Sequence, residues 1–234
     1  MKGIRETYRE QGYVLFEQAL SQNELATLRH VCDELLNEPP EDGGGTTHKI
    51  GLGEKRRFLR HRHADFPALE DFVTGQTIGC IATSCGVQNA MLFNEQFVVK
   101  AADEGASFAW HQDGAYVGFD HTAYLTIWIA LDDATVDNGC IYIQPRNIDL
   151  LPRIDPHEWQ DATNELNGYF GKDPGVPIEC AAGTIVAFSS LTLHRSGENI
   201  TPFPRRAYVT QYSSGPINDP DTGRPKRFAK PVKV

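Results

Sequence analysis

The pattern of apolar positions divides the chain near residue 90. Before that point apolar residues recur at helical spacing, most clearly after Ser21-Gln22-Asn23-Glu24, which has the form of a capping box at a helix N-terminus. The helix that begins there is expected to end before Pro39-Pro40. Just ahead of it, Gly12–Phe16 (GYVLF) is typical of a short strand. The first 90 residues are therefore predicted to be mostly helical.

Two further segments complete this N-terminal portion. Residues 39–67 contain a triple glycine, several prolines and a basic run, and we predict a long loop that acts as a lid. Residues 68–83 are predicted to form a second helix.

From residue 90 onward, short apolar and β-branched stretches alternate with Gly, Pro, Asn and Asp. This pattern favours an all-β sandwich or barrel. Residues 152–177 are a polar insertion that we predict to be partly helical. A chain of 234 residues suits one domain. We therefore expect residues 1–234 to form a single domain with a helical portion (1–90), a β core (90–215) and a C-terminal tail (216–234).

Composition and charge exclude several classes of function. The formal net charge of −9 disfavours a nucleic-acid-binding protein. Five scattered cysteines without metal-binding spacing are typical of reduced thiols in a cytoplasmic protein. No apolar run is long enough to span a membrane, and the charged N-terminus does not resemble a signal peptide. The basic run Lys49–His63, with Arg57, Arg60 and Arg62, is either a solvated loop or a rim that attracts an anionic small molecule.

A candidate metal site lies at the end of a predicted strand, SFAWH. On a strand, residues i and i+2 point to the same face, so His111 and Asp113 can converge on one point. His194, at the end of the strand candidate SLTLH, supplies a third ligand. Two histidines and one carboxylate describe the facial triad of non-haem Fe(II) oxygenases. The same His-x-Asp pattern at His63-Ala64-Asp65 has no strand pattern to aim both side chains at one point.

Three ligands on one face of an iron leave open positions for a 2-oxo acid and dioxygen. The far carboxylate of such a co-substrate is best held by a guanidinium. Arg205 and Arg206 both lie on the predicted strand after His194, and strand alternation lets only one of them face inward.

Three stretches together resemble the phytanoyl-CoA dioxygenase family: WHQDG, TIWIALDDATVDNGCIYIQP and AGTIVAFSSLTLHRSGENITPFPRRAYVTQY. The likeness covers most of residues 85–215. It implies a double-stranded β-helix (jelly roll, cupin-like) with N-terminal helices packed on the major sheet, and it implies Fe(II) and 2-oxoglutarate as cofactors. The implied iron ligands are His111, Asp113 and His194, and the implied 2-oxoglutarate anchor is Arg205. Further residues implied to line the co-substrate pocket are Ser196, Trp128, Thr126, Gln96 and Lys100.

The resemblance has one departure and leaves alternatives open. Where many members read PGSH, this chain has Pro145-Arg146-Asn147-Ile148, so the following loop is expected to be reshaped. Lys100 could instead be a charge that protects an edge strand.

The expected reaction is hydroxylation of an unactivated C–H bond in a small-molecule metabolite or natural-product intermediate, with release of succinate and CO2. Desaturation, epimerisation and cyclisation also fit the ligands. A second class is a cupin-like metal-binding protein or isomerase that works without 2-oxoglutarate. A third is a non-enzymatic β-sandwich that binds a partner.

Overall fold

The computed structural model describes residues 2–38 and 52–233. Four helices lie in the described N-terminal portion: α1 (Ile4–Gln11), α2 (Gln22–Asn37), α3 (Pro67–Val73) and α4 (Gln76–Ser84). The predicted capping box forms at α2, where Ser21 Oγ accepts a bond from the Glu24 amide (3.2 Å) and the Glu24 carboxylate accepts one from the Ser21 amide (2.8 Å). The single helix predicted over 68–83 is wrong, since Thr74 and Gly75 separate two short helices.

The larger sheet has seven antiparallel strands in the order β1-β10-β5-β12-β3-β13, with β2 also paired to β3. Its strands are β1 (Tyr13–Phe16), β2 (Arg56–Arg60), β3 (Met91–Lys100), β5 (Leu125–Ala130), β10 (Ile185–Ser189), β12 (Arg205–Ser213) and β13 (Lys230–Pro231).

The smaller sheet has four strands in the order β4-β11-β6-β9, and β7 and β8 form a separate two-stranded ribbon. These strands are β4 (Phe108–His111), β6 (Ile141–Ile143), β7 (Glu158–Gln160), β8 (Glu165–Asn167), β9 (Val176–Ile178) and β11 (His194–Ser196). The arrangement is the predicted double-stranded β-helix.

The core has one large cluster on each face of the larger sheet and a third, small cluster made of Phe93, Val117, Tyr124 and Ile217. On one face the helices bury side chains such as Leu28, Leu35 and Ile78 against Ile127 and Tyr208 of the sheet. On the other face, Trp128 and Phe188 of the larger sheet belong to the same cluster as Ile141 and Ile143 of the smaller sheet. The N-terminal helices therefore pack on the larger sheet, as predicted, and leave its other face to the smaller sheet and the cavity.

Three sequence predictions about local structure are wrong. Within the predicted loop 39–67, residues 39–51 lie outside the described residues, but Arg56–Arg60 form β2 and pair with β3. The insertion 152–177 contains the β7–β8 ribbon and no described helix. The segment 190–193 of SLTLH is a turn, because the Ser190 amide bonds to Tyr124 and the Thr192 hydroxyl to Gly12. His194 therefore begins β11 rather than ending a strand.

No described helix has the length and hydrophobicity that a bilayer-spanning helix requires. All five cysteines are free thiols.

Candidate active site

Two neighbouring strands of the smaller sheet position the candidate ligands. β4 ends at His111 and β11 begins at His194, and the two histidines lie directly opposite each other in the antiparallel ladder. Asp113 does not lie on β4 but begins a short 3-10 helix, Asp113–Val117. The intervening Gln112 is extended (φ −109°, ψ 130°), so side-chain alternation continues to Asp113 and brings its carboxylate to the face of His111.

The three side chains converge on one point. One potential ligand atom from each of His111, Asp113 and His194 lies within 4.8 Å of the other two, and this is the one such group among residues 2–38 and 52–233. Asp113 Oδ1 lies 3.6 Å from His111 Nε2 and 3.7 Å from His194 Nε2. The donor set is that of a non-haem iron site, and its spacing suits a single ion.

Hydrogen bonds behind the ligands fix the atoms that face the metal position. His111 Nδ1 lies 2.8 Å from the Ala109 carbonyl, and His194 Nδ1 lies 3.1 Å from the Thr192 carbonyl. A ring nitrogen facing a carbonyl must carry the proton, which leaves Nε2 with its lone pair. Thr126 Oγ1 donates to Asp113 Oδ2 (2.5 Å), which leaves Oδ1 for the metal.

The electrostatics of the site favour the deprotonated forms that a metal requires. Burial alone would raise the pKa of Asp113, but His194, His111 and the Thr126 hydroxyl hold that pKa below its ordinary value. Burial, followed by the nearby His111, lowers the pKa of His194 to about 4. At neutral pH the site therefore offers a carboxylate and a neutral His194 imidazole.

The two adjacent arginines of β12 point in opposite directions. Arg206 faces outward and pairs with Asp132 (2.7 Å) and Asp33 (2.6 Å). Arg205 is 1% exposed and lines the cavity that contains the trio. Its Nη2 donates to the Gly139 carbonyl (2.8 Å), whereas its Nε and Nη1 have no hydrogen-bond partner among the described residues.

Two donors on a buried guanidinium are costly unless they meet an acceptor. Burial lowers the Arg205 pKa to about 10, so the group remains charged at neutral pH. Its geometry fits a carboxylate in the cavity, which is the feature that a 2-oxo diacid would supply.

The other residues predicted to line the co-substrate pocket occupy three kinds of position. Ser196, Trp128 and Gln96 line the same cavity as Arg205. Thr126 acts on the Asp113 carboxylate instead. Lys100 is buried, but its ammonium donates to the Ala106 and Gly197 carbonyls (2.6 Å for Gly197) and does not line the cavity. The edge-strand interpretation of Lys100 is also wrong, because β3 is paired on both sides at that residue, by β12 and β2.

A family comparison agrees with this geometry. Residues 8–207 match the family model described as phytanoyl-CoA dioxygenase (PhyH). The chain belongs to the phytanoyl-CoA dioxygenase family. By membership it is a 2-oxoglutarate-dependent non-haem iron enzyme with Fe(II) and 2-oxoglutarate as cofactors, so the predicted family, enzyme class and cofactors are confirmed.

Curated relatives and solved structures extend the likeness over most of the chain. A phytanoyl-CoA dioxygenase of Arabidopsis thaliana is 24% identical, covering 86% of this chain and 84% of its own. A phytanoyl-CoA dioxygenase domain-containing protein 1 homolog of Dictyostelium discoideum is 28% identical, over 64% of this chain and 56% of its own.

Two solved structures share the fold. The epimerase SnoN, in complex with Fe3+, alpha ketoglutarate and nogalamycin RO, is 22% identical with a TM-score of 0.70, covering 99% of this chain and 94% of its own. The alpha ketoglutarate-dependent carbocyclase SnoK from nogalamycin biosynthesis is 24% identical with a TM-score of 0.72, covering 99% and 92%.

This family member departs from the common pattern at Pro145-Arg146-Asn147-Ile148. The Arg146 and Ile148 amides bond to the Gln11 and Arg9 carbonyls (3.0 Å each), which ties this segment to α1. The Arg146 guanidinium pairs with Asp155 (2.9 Å) of the insertion. Pro145–Ile148 therefore connects α1 to the insertion 152–177, which lies beside β4, the strand that ends at His111.

Several cavity residues have no signal in the sequence: Tyr116, Tyr124, Phe188 and Arg227 line the cavity but come from four separate segments. Arg56, which lies in the basic run Lys49–His63, also lines the cavity. The three arginines expected at a basic rim are Arg57, Arg60 and Arg62, and of these only Arg60 lines the cavity. Arg57 bonds to the Leu36 carbonyl, and Arg62 bridges Glu38 and Asp65. His63 is buried against Glu95 rather than in the metal cluster.

Gln112, between two ligands, is expected to anchor the insertion. Its amide nitrogen donates to Leu191 (2.6 Å) and Arg153 (3.0 Å), and its oxygen accepts from Asp155 (2.6 Å). The Gln112→Ala variant leaves the buried Leu191 carbonyl unpaired and breaks the two part-buried bonds, so we expect a loss of about 2–3 kcal/mol in the unfolding free energy by urea denaturation. Gln144→Ala is the control, because the Gln144 amide nitrogen makes no bond among the described residues. Equal losses in both variants would contradict this role.

Proposed function

We propose that His111, Asp113 and His194 bind Fe(II), that Arg205 holds the distal carboxylate of 2-oxoglutarate, and that the enzyme hydroxylates an unactivated C–H bond of a small molecule. The observation that carries this proposal is the position of Arg205. A buried guanidinium with two free donors lies in the same cavity as a His-Asp-His trio. A cupin-like metal protein that does not use 2-oxoglutarate would have no use for that group.

The iron, with 2-oxoglutarate and dioxygen, supplies an oxidant strong enough for a C–H bond, and succinate and CO2 are released. The protein supplies orientation and a dry site. Thr126 and the carbonyls of Ala109 and Thr192 hold the ligands. The rings of Phe108 and Phe188 each lie 4.5 Å, centroid to centroid, from a ligand imidazole and restrict access of water.

Two of the remaining pocket residues support the co-substrate in this proposal. Trp128 lies beside the Arg205 guanidinium, with Arg205 Cζ 5.7 Å from its ring, and Ser196 offers a hydroxyl to the same carboxylate. Gln96 faces the cavity from β3. Lys100 has an indirect part, because its ammonium holds the Gly197 carbonyl beside the β11 strand that carries Ser196.

Hydroxylation is favoured over halogenation because Asp113 occupies the position that halide would need. The acidic charge and free cysteines support a cytoplasmic enzyme that acts as one domain on a small molecule, with neither nucleic acid nor membrane as a partner. The solved structures that share the fold include an epimerase and a carbocyclase, so the type of reaction is distinguished by experiment.

Isotope labelling under ¹⁸O₂ separates the outcomes. A substrate is first found by succinate formation across a set of small metabolites, and its product is then analysed by mass spectrometry. Hydroxylation places one labelled atom in succinate and one in the product. Labelled succinate with an unlabelled product would indicate epimerisation, desaturation or cyclisation. Product formation that is independent of 2-oxoglutarate would contradict the proposal and favour the isomerase alternative.

A further inference from the structure

A buried ion pair joins β2 to the insertion beside the strand that carries His111. Arg56 of β2 is 1% exposed, and its Nη1 lies 2.9 Å from Oε2 of Glu165, the first residue of β8. Arg56 Nη2 also donates to the Thr163 carbonyl of the insertion (3.1 Å). The desolvation of two charges offsets much of their attraction, so such a pair is weak evidence for stability alone. Its contacts with β4 indicate a second role.

The Glu165 carboxylate also holds the backbone of β4. Its Oε2 accepts a hydrogen bond from the Ala109 amide (3.2 Å), so a side chain of the insertion bonds to the strand that ends at His111. The Ala109 carbonyl in turn accepts from Nδ1 of His111 (2.8 Å). Glu165 therefore fixes Ala109 through its amide, and Ala109 fixes the ligand ring through its carbonyl.

Arg56 holds the two residues that precede Ala109. Its guanidinium donates to the Ser107 carbonyl, and its Cζ lies 4.3 Å from the centroid of the Phe108 ring. The Phe108 ring lies edge-on to the His111 imidazole, with centroids 4.5 Å apart. The ion pair thus reaches His111 by two routes, a chain of hydrogen bonds through Ala109 and ring packing through Phe108.

The second histidine of the trio has separate support. His194 Nδ1 faces the Thr192 carbonyl (3.1 Å), and the Thr192 hydroxyl donates to the Gly12 carbonyl (2.8 Å). Neither contact involves the insertion. A change at Glu165 should therefore act on His111 and leave His194 in place.

We propose that Glu165 is a positioning residue for the metal centre. It does not line the cavity, and it acts through Ala109 to fix the orientation of the His111 ring and the proton on its Nδ1, while Arg56 keeps the carboxylate in place. Carboxylates and carbonyls behind metal-binding histidines serve this purpose when they bond to the ring directly. This inference rests on the proposed function, because it takes His111 as a metal ligand, and it names the residue through which the insertion acts on that site.

Titration with Co(II) without oxygen, followed by visible absorption, measures the metal affinity of each variant. Removing one partner of a buried ion pair leaves an uncompensated charge, whereas replacing both partners by apolar residues is often tolerated. The double variant Arg56→Met/Glu165→Leu therefore removes the acceptor for the Ala109 amide and leaves no buried charge of the pair. Since groups behind metal ligands change metal affinity by about 10–100-fold, we expect the Co(II) affinity of the double variant to fall at least about tenfold.

Two single variants separate the hydrogen bond from the charge. Glu165→Gln keeps an oxygen at the same reach and should bind Co(II) as wild type does. Glu165→Asp keeps the charge but is one methylene shorter, so it cannot hold both Arg56 and the Ala109 amide. We expect Glu165→Asp to lose at least about tenfold in Co(II) affinity, and it tests the same bond if the double variant does not fold.

Histidine NMR spectra of the metal-free protein give a readout that a general loss of stability would not change. Wild type should show Nδ1–H proton signals for both His111 and His194. In the double variant and in Glu165→Asp, the His111 signal should be lost and the His194 signal should remain. Leu28→Ala is the stability control, because this buried side chain packs in the cluster between the helices and the larger sheet, away from β4. It should keep both signals and wild-type Co(II) affinity.

Asp113→Ala separates this inference from the proposed function. Equal Co(II) affinity in Asp113→Ala and wild type would refute the proposed metal site, and the His111 signal of the metal-free protein would still test the contact through Glu165. Wild-type Co(II) affinity or an unchanged His111 signal in both the double variant and Glu165→Asp would overturn the inference. An equal loss of affinity in Leu28→Ala would reduce the effect to stability and overturn it as well. An equal loss in Glu165→Gln would do the same, because it would assign the effect to charge rather than to the bond with Ala109.

Discussion

Succinate formation is expected to disappear when Asp113 or His194 is replaced by alanine. Each side chain supplies one of three atoms that meet within 4.8 Å, and no fourth ligand joins that group from residues 2–38 or 52–233. Removing Asp113 also takes away the single negative charge that the site contributes to a divalent ion. Even residues that only support metal ligands contribute about 10–100-fold to metal affinity or activity. We therefore expect succinate formation to fall by more than about a hundredfold in both variants. The measurements are succinate yield and bound iron per chain.

His30→Ala is the matched control for His194→Ala. His30 is exposed on α2 and interacts with Glu34 one turn away (3.3 Å), far in sequence from every ligand strand. This variant should keep wild-type iron content and activity. Full activity in both Asp113→Ala and His194→Ala would show that the trio is not the metal site.

Arg205→Met and Arg206→Met are expected to have opposite effects although the residues are adjacent. Arg205 offers two free donors inside the cavity, and loss of two charge-assisted bonds to a carboxylate costs about 3 kcal/mol or more. The KM for 2-oxoglutarate should therefore rise at least about a hundredfold in Arg205→Met. The measurements are KM from succinate formation and anaerobic calorimetry of 2-oxoglutarate binding.

Arg206→Met should leave the KM for 2-oxoglutarate unchanged. Its guanidinium pairs with Asp132 and Asp33 on the outer face of β12, so the expected cost is about 1 kcal/mol of unfolding free energy. A raised KM in Arg206→Met with a normal value in Arg205→Met would reverse the assignment. Unchanged KM in both would favour a metal protein that does not use 2-oxoglutarate.

Short-range rules are sufficient to predict that two of the three candidate ligands share one face. Side-chain alternation brings His111 and Asp113 to one face. Gln112 lies beyond the end of β4 but is also extended, so the alternation continues to Asp113. His194 is a candidate from its own segment, SLTLH, and the family resemblance selects Arg205 over Arg206 as the 2-oxoglutarate anchor. The capping box at Ser21 needed only four residues. The capping box and the shared face of His111 and Asp113 depend on neighbours in sequence alone.

Features that depend on distant partners could not be predicted from the sequence. The turn over 190–193 forms because the Thr192 hydroxyl bonds to Gly12, which is remote in sequence. The insertion forms a ribbon rather than a helix, and Glu165 at its second strand pairs with buried Arg56 of β2 (2.9 Å). Arg227 lines the cavity because the neighbouring Lys226 and Phe228 amides bond to the Ile217 and Phe93 carbonyls, and no local pattern in this C-terminal segment indicates that position.

One spectrum tests the central claim most directly. Fe(II) and then 2-oxoglutarate are added to the protein without oxygen, and the visible difference spectrum is compared for wild type and Asp113→Ala. Chelation of iron by 2-oxoglutarate in the His111-Asp113-His194 site predicts a charge-transfer band in wild type that is absent from the variant. No band in wild type despite bound iron, or an equal band in the variant, would contradict the assignment of this site.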